Sequence, residues 1–232
     1  MAKTAALPAP DATDRAGRRT GLEREDIVAA ALVLVERDGP AALTMRRLAT
    51  ELDVGTPTIY WHIANRDELI SEIIRLQSTR LAETKVTGKT ARERVYRAAR
   101  HIWTSSIEHR ALTSLAHQTG MSSLLTHHLE AALVIELEAA GLVGREGADA
   151  CRAILTTIVG ALVIALRDVS ASPPDYRPDA LWATSDAAIT PATRNALRAT
   201  SDVDALSAVT LRAVVDYFVP PDRTDPEREG TP

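Results

Sequence analysis

The chain has 232 residues, 45% apolar and 25% charged, enough for one large domain or for a small domain joined to a medium one. Aromatic residues make up only 3%, and no run of short alternating segments occurs, which argues against an all-β fold. The net charge of −4 is spread evenly: residues 1–85 carry 12 Lys/Arg against 13 Asp/Glu, and the remainder 15 against 18. Charge by itself therefore neither points to nucleic acid nor excludes it.

Residues 1–20 have no hydrophobic period and read as a flexible arm without an apolar signal core. From Leu22 onward Ile27, Ala30, Ala31, Leu34 and Val35 recur at helical spacing, and Gly39-Pro40 closes that first helix. Thr44 is placed to cap a short helix over Met45 to Leu52, followed by a tight Asp53-Val54-Gly55 turn. Thr56 is placed to cap a third helix with Pro57 at its first position, where a missing N–H costs nothing. Asn65 with Glu68 forms a capping-box pattern that opens a fourth helix carrying Leu69, Ile70, Ile73, Ile74, Leu76 and Leu81. This helix fades before Lys89, which puts a domain boundary near residue 85.

Thr90 with Glu93 repeats the capping pattern and opens a long helix whose stripe is Val95, Ala99, Ile102, Trp103 and Ile107. A short helical piece over Leu112–His117 follows, then a helix from about Ser123 to Ala140 stopped by Gly141. The next helix, about Gly147 to Val169, is apolar nearly all round in its second half and must be covered on more than one side. Ser172 to Pro191 holds four prolines and reads as a long loop. Two last helices, near Pro191–Ala199 and Ser201–Val219, precede a polar tail. The expected architecture is all-α with nine or ten helices: arm 1–20, a helix-turn-helix domain with its connecting helix over 21–85, a larger helical domain over 86–220, and a disordered tail over 221–232.

The one cysteine, Cys151, cannot form an intrachain disulfide, and the longest uncharged apolar stretch, Ala153 to Leu166, falls short of a bilayer's thickness. The chain reads as soluble and cytoplasmic.

Two short helices joined by a tight turn, the second opening Thr-Pro-Thr, form a helix-turn-helix candidate. Its second helix carries Thr56, Thr58, Tyr60, Trp61 and His62, a set that a helix meant only for packing does not normally present. The segment LTMRRLATELDVGTPTIYWHIANRDELI, Leu43 to Ile70, resembles the DNA-binding domain of the tetracycline-repressor (TetR) family, and its Tyr60-Trp61-His62 and Asn65 pattern resembles the tetracycline repressors themselves. The strong match spans about residues 22–80.

That resemblance implies a DNA-binding regulator, most simply a homodimeric repressor released from a palindromic operator by a small molecule. Carried over by position, it implies that Arg46, Thr56, Pro57 and Thr58 meet base edges. Thr44, Tyr60, Trp61, His62 and Arg66 would meet the phosphate backbone. The chemistry agrees: Arg reads guanine O6 and N7, Thr offers a hydroxyl and a methyl, and polar tips at a helix end fix register on phosphates. Arg47 reads equally as a contact or as a solvated face, and Trp61 also reads as a core residue. Arg15, Arg18 and Arg19 read either as a minor-groove arm or as a solvated one. Asp53 stands where the family often has glycine, and Asp tolerates the left-handed conformation that the turn needs.

In the second domain, Ala153–Leu166 and the Val209-Leu211-Val214-Val215-Phe218 face are two apolar surfaces that a two-fold mate would cover as a four-helix interface. Cys151 and Gly160 fit that interface as small residues, or else the core. Helices that line the effector cavity in this family carry Trp103, Ile107, His117, Met121, Leu124, His128, Thr156 and Arg167, which suggests a largely apolar effector. Ala116 or His117 falls at the tetracycline repressors' metal-ligating histidine and Arg167 near their carboxylate. An arginine cannot assist a magnesium site, so no metal–tetracycline binding is expected.

His127 and His128 point about 100° apart on a helix and make no chelate. No metal and no cofactor are expected. Gly141, Gly144 and Gly147 lack the Lys-Ser/Thr of a phosphate loop, and no nucleophile elbow surrounds Ser105-Ser106 or Ser122-Ser123, so an enzyme is not expected. The competing reading is a DNA-binding regulator without a small-molecule effector, switched by a protein partner or acting as an activator.

Overall fold

The computed structural model describes residues 21–83, 85–167, 173–185 and 188–220; the arm over 1–20 and the tail over 221–232 lie outside them. Among the described residues the chain is all-helical, with eleven α-helices and two short 3₁₀ turns. It divides into two compact units, Met1–Leu76 and Gln77–Pro232.

The first unit holds α1 (Arg24–Asp38), α2 (Met45–Glu51), α3 (Thr56–His62) and most of α4 (Arg66–Leu81). Its apolar residues recur at helical spacing, and Ile27, Ala31, Leu34, Val35, Leu43, Leu48, Ile59, Ile63, Leu69, Ile70 and Ile73 are all essentially inaccessible. Gly39 ends α1 at φ 82°, a conformation that glycine adopts without penalty, and turns the chain into a 3₁₀ turn over Pro40–Ala42. Thr44 then caps α2 as its spacing predicts, its Oγ1 accepting from the Arg47 N–H at 3.2 Å.

The second unit is built on α5 (Ala91–Glu108), which packs against α6 (Arg110–Gln118), α7 (Ser122–Ala139), α8 (Gly144–Ala165) and α11 (Val203–Phe218). Val95, Ala99, Ile102 and Trp103 of α5 meet Leu133 and Leu137 of α7, Ile154 and Ile158 of α8, and Leu211 and Val215 of α11 in one core. A polar seam flanks the α5–α11 contact. Arg92 pairs with Asp216 at 3.2 Å, the Arg212 guanidinium sits 3.7 Å over the Tyr96 ring, and Arg100 reaches Ser207 and Asp204. Gly147, in the first turn of α8, is buried where any side chain would fall onto the Leu142 carbonyl, so the α7–α8 corner requires a glycine.

Several expected boundaries move. Helix α3 begins at Thr56 with Gly55 as its cap, so Thr56 is helical rather than the capping residue. Helix α8 begins at Gly144, three residues early, and ends at Ala165. At 22 residues it is, by length and composition, long enough to cross a membrane, which the fourteen-residue apolar stretch did not indicate. Its first half carries Arg145, Glu146, Asp149 and Arg152, while Ala150, Ile154 and Ile158 face the core of this unit. Its second half is left partly open within the chain: Val159, Val163 and Ile164 are each more than half exposed.

The proline-rich stretch is no simple loop. It contains a 3₁₀ turn over Pro174–Tyr176 and α9 (Pro178–Ala183), which packs on α10 (Pro191–Arg198). Prolines sit in the first turns of α9 and α10, where the helix has no use for their N–H.

Candidate nucleic-acid interface

Helices α2 and α3 pack against each other across the Asp53-Val54-Gly55 turn. Asp53 takes the left-handed conformation at φ 52°, so the residue that replaces the usual glycine adopts the backbone a glycine would have had. The turn is closed by the Val54 N–H donating to the Ala49 carbonyl at 2.9 Å.

Only Ile59 anchors α3 by full burial. The rest of its seven residues form an outward surface: Pro57 is exposed, Thr56, Thr58 and His62 are half-buried, Tyr60 is 51% exposed and Trp61 89% exposed. Trp61 is therefore not a core residue. An indole left in water near the end of a short helix, beside an exposed tyrosine, is a departure from the usual burial of tryptophan.

The two arginines of α2 separate by environment. Arg47 is committed to Asp38, Nη2 to Oδ2 at 2.6 Å, and Asp38 is also held by Arg37 at 2.8 Å. Arg46 is exposed and makes no ion pair among the described residues. Asp38 sits below its ordinary carboxylate range, first through its hydrogen bond with Arg37 and then through the charges of Arg37 and Arg47. Arg37 also bonds Glu51, so α1 and α2 are laced together beside the interface and Arg46 alone remains free to reach outward.

Four side chains hold the α3–α4 corner, and sequence spacing exposed two of them, Asn65 and Glu68. Asn65 Oδ1 accepts from the Glu68 N–H at 2.9 Å, the expected half of the capping box. The Glu68 carboxylate goes one residue further than a standard box: it accepts from the Ala64 N–H at 2.7 Å and pairs with Arg24 at 2.6 Å. Arg24, at the start of α1, also donates Nη1 to the His62 carbonyl at 2.8 Å. Arg66 donates Nε to the Leu43 carbonyl at 3.0 Å, which fixes the base of this exposed side chain. The Arg24 partners lie 38 and 44 residues away, so no local spacing could have revealed them.

The residues expected to line an effector cavity are divided. Trp103 is 2% exposed, and its indole Nε1 donates to Asp204 Oδ1 at 2.6 Å, so its polar end is engaged inside the α5–α11 contact. Ile107, Met121 and Leu124 are half-buried, while His117, His128, Thr156 and Arg167 are exposed. Thr156 Oγ1 donates to the Arg152 carbonyl of its own helix. Ala116 is fully buried beside the exposed His117.

The expected α11 face also splits. Leu211 and Val215 are fully buried in the core of the chain itself, Val214 and Phe218 pack against it, and only Val209 points outward at 68% exposure. The large exposed apolar residues of α11 are Leu206, Val209 and Tyr217, and those of α8, which packs on it, are Val159, Val163 and Ile164. Cys151 is buried in the core, and burial pushes its thiol above the ordinary range. Gly160 lies on the exposed side, with open space where a Cβ would be.

Comparison with known proteins agrees with this geometry. The family model described as bacterial regulatory proteins, tetR family, matches residues 27–73, from α1 into α4. The chain is 40% identical over 52 residues to the class D tetracycline repressor protein of Escherichia coli, a match covering 22% of this chain and 24% of that protein. The match thus spans about a quarter of the curated relatives' length. Solved structures extend the likeness across the helical second unit. A possible TetR family transcriptional regulator from Streptomyces coelicolor A3(2) is 25% identical, covering 84% of this chain and 98% of that one with a TM-score of 0.66. BioQ with its natural double-stranded DNA operator is 30% identical over 63% of this chain and 87% of that one, with a TM-score of 0.50. With the helix-turn-helix matched in sequence and both units matched in fold, the chain belongs to the TetR family of bacterial regulatory proteins.

Proposed function

We propose that the protein is a homodimeric transcriptional repressor of the cytoplasm that grips a palindromic DNA operator with α2 and α3 and is released by a largely apolar small molecule bound in the second unit. The observation that carries the reading is the outer surface of α3, where Tyr60 and Trp61 stand in solvent on a helix with one buried anchor. Arg46, Thr56, Pro57 and Thr58 meet base edges, and Thr44, Tyr60, Trp61, His62 and Arg66 meet phosphates. The likeness to BioQ bound to its operator supports this arrangement.

The exposed apolar residues of α8 and α11 support the dimer. Val159, Val163 and Ile164 on α8 and Leu206, Val209 and Tyr217 on α11 are exposed on two helices that pack together, and a two-fold mate would turn the pair into a four-helix bundle. Two recognition helices then enter successive major grooves about 34–36 Å apart. The half-buried Ile107, Met121 and Leu124 suit an apolar effector body, with polar ends toward His117, His128, Thr156 or Arg167. Helix α4 is continuous from Arg66 to Leu81 while the unit boundary falls at Leu76, so a shift of its C-terminal end moves the corner that holds α3. Such coupling is typically about 1–3 kcal/mol, on the order of 5- to 150-fold in DNA affinity.

The test is selection of bound duplexes from a random library by the full chain, beside an Arg46→Ala, Thr58→Ala double variant. The expected result is a palindrome with half-sites about one helical turn apart, lost in the variant. No enrichment, or identical enrichment by both proteins, would refute base reading by this unit.

A further inference from the structure

We infer that Arg24 is a positioning residue for DNA recognition: it sets the tilt of α3 by holding the helix's last carbonyl and the first turn of α4 in one guanidinium fork. The inference rests on the DNA-binding reading above and adds a residue outside the DNA-contact set. Helix α3 is seven residues long and has a single fully buried side chain, Ile59, so packing fixes its position better than its tilt. Its ends must supply the rest. The N-terminal end is fixed by the turn at Asp53 and by the Thr58 N–H donating to the Gly55 carbonyl. The C-terminal end leaves carbonyls without helical partners, and one of them, His62, is taken by Arg24 Nη1 at 2.8 Å.

The other arm of the fork closes a ring. Arg24 Nη2 donates to Glu68 Oε1 at 2.6 Å and lies 3.5 Å from Glu72, while Glu68 Oε2 accepts from the Ala64 N–H at 2.7 Å. The three-residue link from Ile63 to Asn65 is thereby held on both sides: the carbonyl before it by Arg24, an N–H within it by Glu68. The positive charge also lies at the carbonyl end of α3, where the helix dipole favours it. Only a planar fork makes both bonds at once; a lysine ammonium keeps the charge but not the geometry. Trp61 and His62, two of the proposed phosphate contacts, are in the turn whose carbonyl is held, so a loosened clamp misplaces them and Tyr60 together.

The experiment measures the full chain on its selected duplex and on a scrambled duplex, across a salt series, for the wild type, Arg24→Gln, Arg24→Lys and Glu68→Gln. Arg24→Gln is expected to weaken cognate binding by roughly tenfold, the size of one lost charge-assisted hydrogen bond. Its scrambled-duplex affinity should stay within about twofold, and its salt slope should not change, because no phosphate contact is removed. Arg24→Lys should recover little of the loss, and Glu68→Gln should lose specificity in the same sense. Thermal melting checks folding; if Arg24→Gln does not fold, Arg24→Lys and Glu68→Gln carry the comparison. Unchanged cognate affinity in the folded variants would overturn the inference. So would full rescue by lysine, or an equal loss on both duplexes with the salt slope reduced by about one, which would make Arg24 a phosphate contact. A wild-type chain that prefers no duplex would overturn the DNA-binding reading itself, and is recognised before any variant is compared.

Discussion

Asp204 accepts hydrogen bonds from Arg100 Nη2 at 2.9 Å and from the Trp103 indole at 2.6 Å, and the first of these is the larger reason its carboxyl lies below the ordinary aspartate range. A depressed folded-state pKa contributes stability that is present above the unfolded value of about 3.9 and lost as pH falls through the lowered value. In a Trp61→Phe, Trp182→Phe background, Trp103 emission should therefore hold steady at neutral pH and change only in acid below about pH 4. Asp204→Asn should remove that acid transition; a transition surviving in the variant would assign it elsewhere. Ile59 shows the opposite chemistry. It is fully buried and is the one such anchor of α3, so Ile59→Ala should cost about 2–5 kcal/mol by denaturant titration. Trp61, the most exposed large apolar side chain described, should by contrast be replaceable by Ala with little effect on stability while DNA binding falls.

Specific polar contacts join the elements beside their apolar packing. Arg94 of α5 and Glu136 of α7 pair at 2.7 Å with only 19% and 16% of their side chains exposed. Removing Glu136 breaks a half-buried charge-assisted hydrogen bond, so Glu136→Ala should lower stability by about 1–3 kcal/mol, and a double variant with Arg94→Met should recover part of it. Recovery of nothing would mean that the pair's packing rather than its charge is what matters. The first turns of α4 and α5 share a further device. Both carry Asn or Thr caps with Glu three residues on, and in both the glutamate bonds the N–H one residue before the cap: Ala64 at 2.7 Å and Lys89 at 2.9 Å. Ile73, fully buried near the middle of α4, should not tolerate proline: Ile73→Pro should abolish effector response and DNA binding together, by reporter assay and duplex titration.

At the scale of the molecule, exposed apolar side chains stand on the outside of α3 and on α8 and α11. Static light scattering at micromolar concentration should give twice the chain's 25.0 kDa. Val163→Asp with Val209→Asp places charge on the exposed sides of α8 and α11 and should give the mass of one chain without unfolding it, since both residues are more than half exposed. Gly160 supplies a finer probe. With open space at its Cβ in the single chain, Gly160→Ala should raise helix stability by about 0.5–1 kcal/mol, whereas Gly160→Leu should weaken a dimer packed against it. A chain that remains a monomer in the wild type would refute the proposed assembly.

Except for α9 in the proline-rich stretch, helix existence and order, the α2–turn–α3 unit and the outward chemistry of α3 were legible in the sequence, because caps, glycines and apolar period act within a few residues of one another. Thr44, Asn65 and Thr90 each accept the backbone hydrogen bond that their spacing predicts. Other features were not legible in that way. Whether Val209 or Leu211 faces water depends on packing between distant helices, Trp103 bonds an Asp204 that lies 101 residues away, and Arg47 is drawn off by Asp38, nine residues back on another helix. An apolar residue's period shows that it belongs to a face, and only packing decides which neighbour covers that face. The Arg24 clamp is the extreme case: its two partners, 38 and 44 residues distant, are brought to it by the folding of α1 across α3 and α4, and no local rule constrains a long charged side chain to a particular carbonyl.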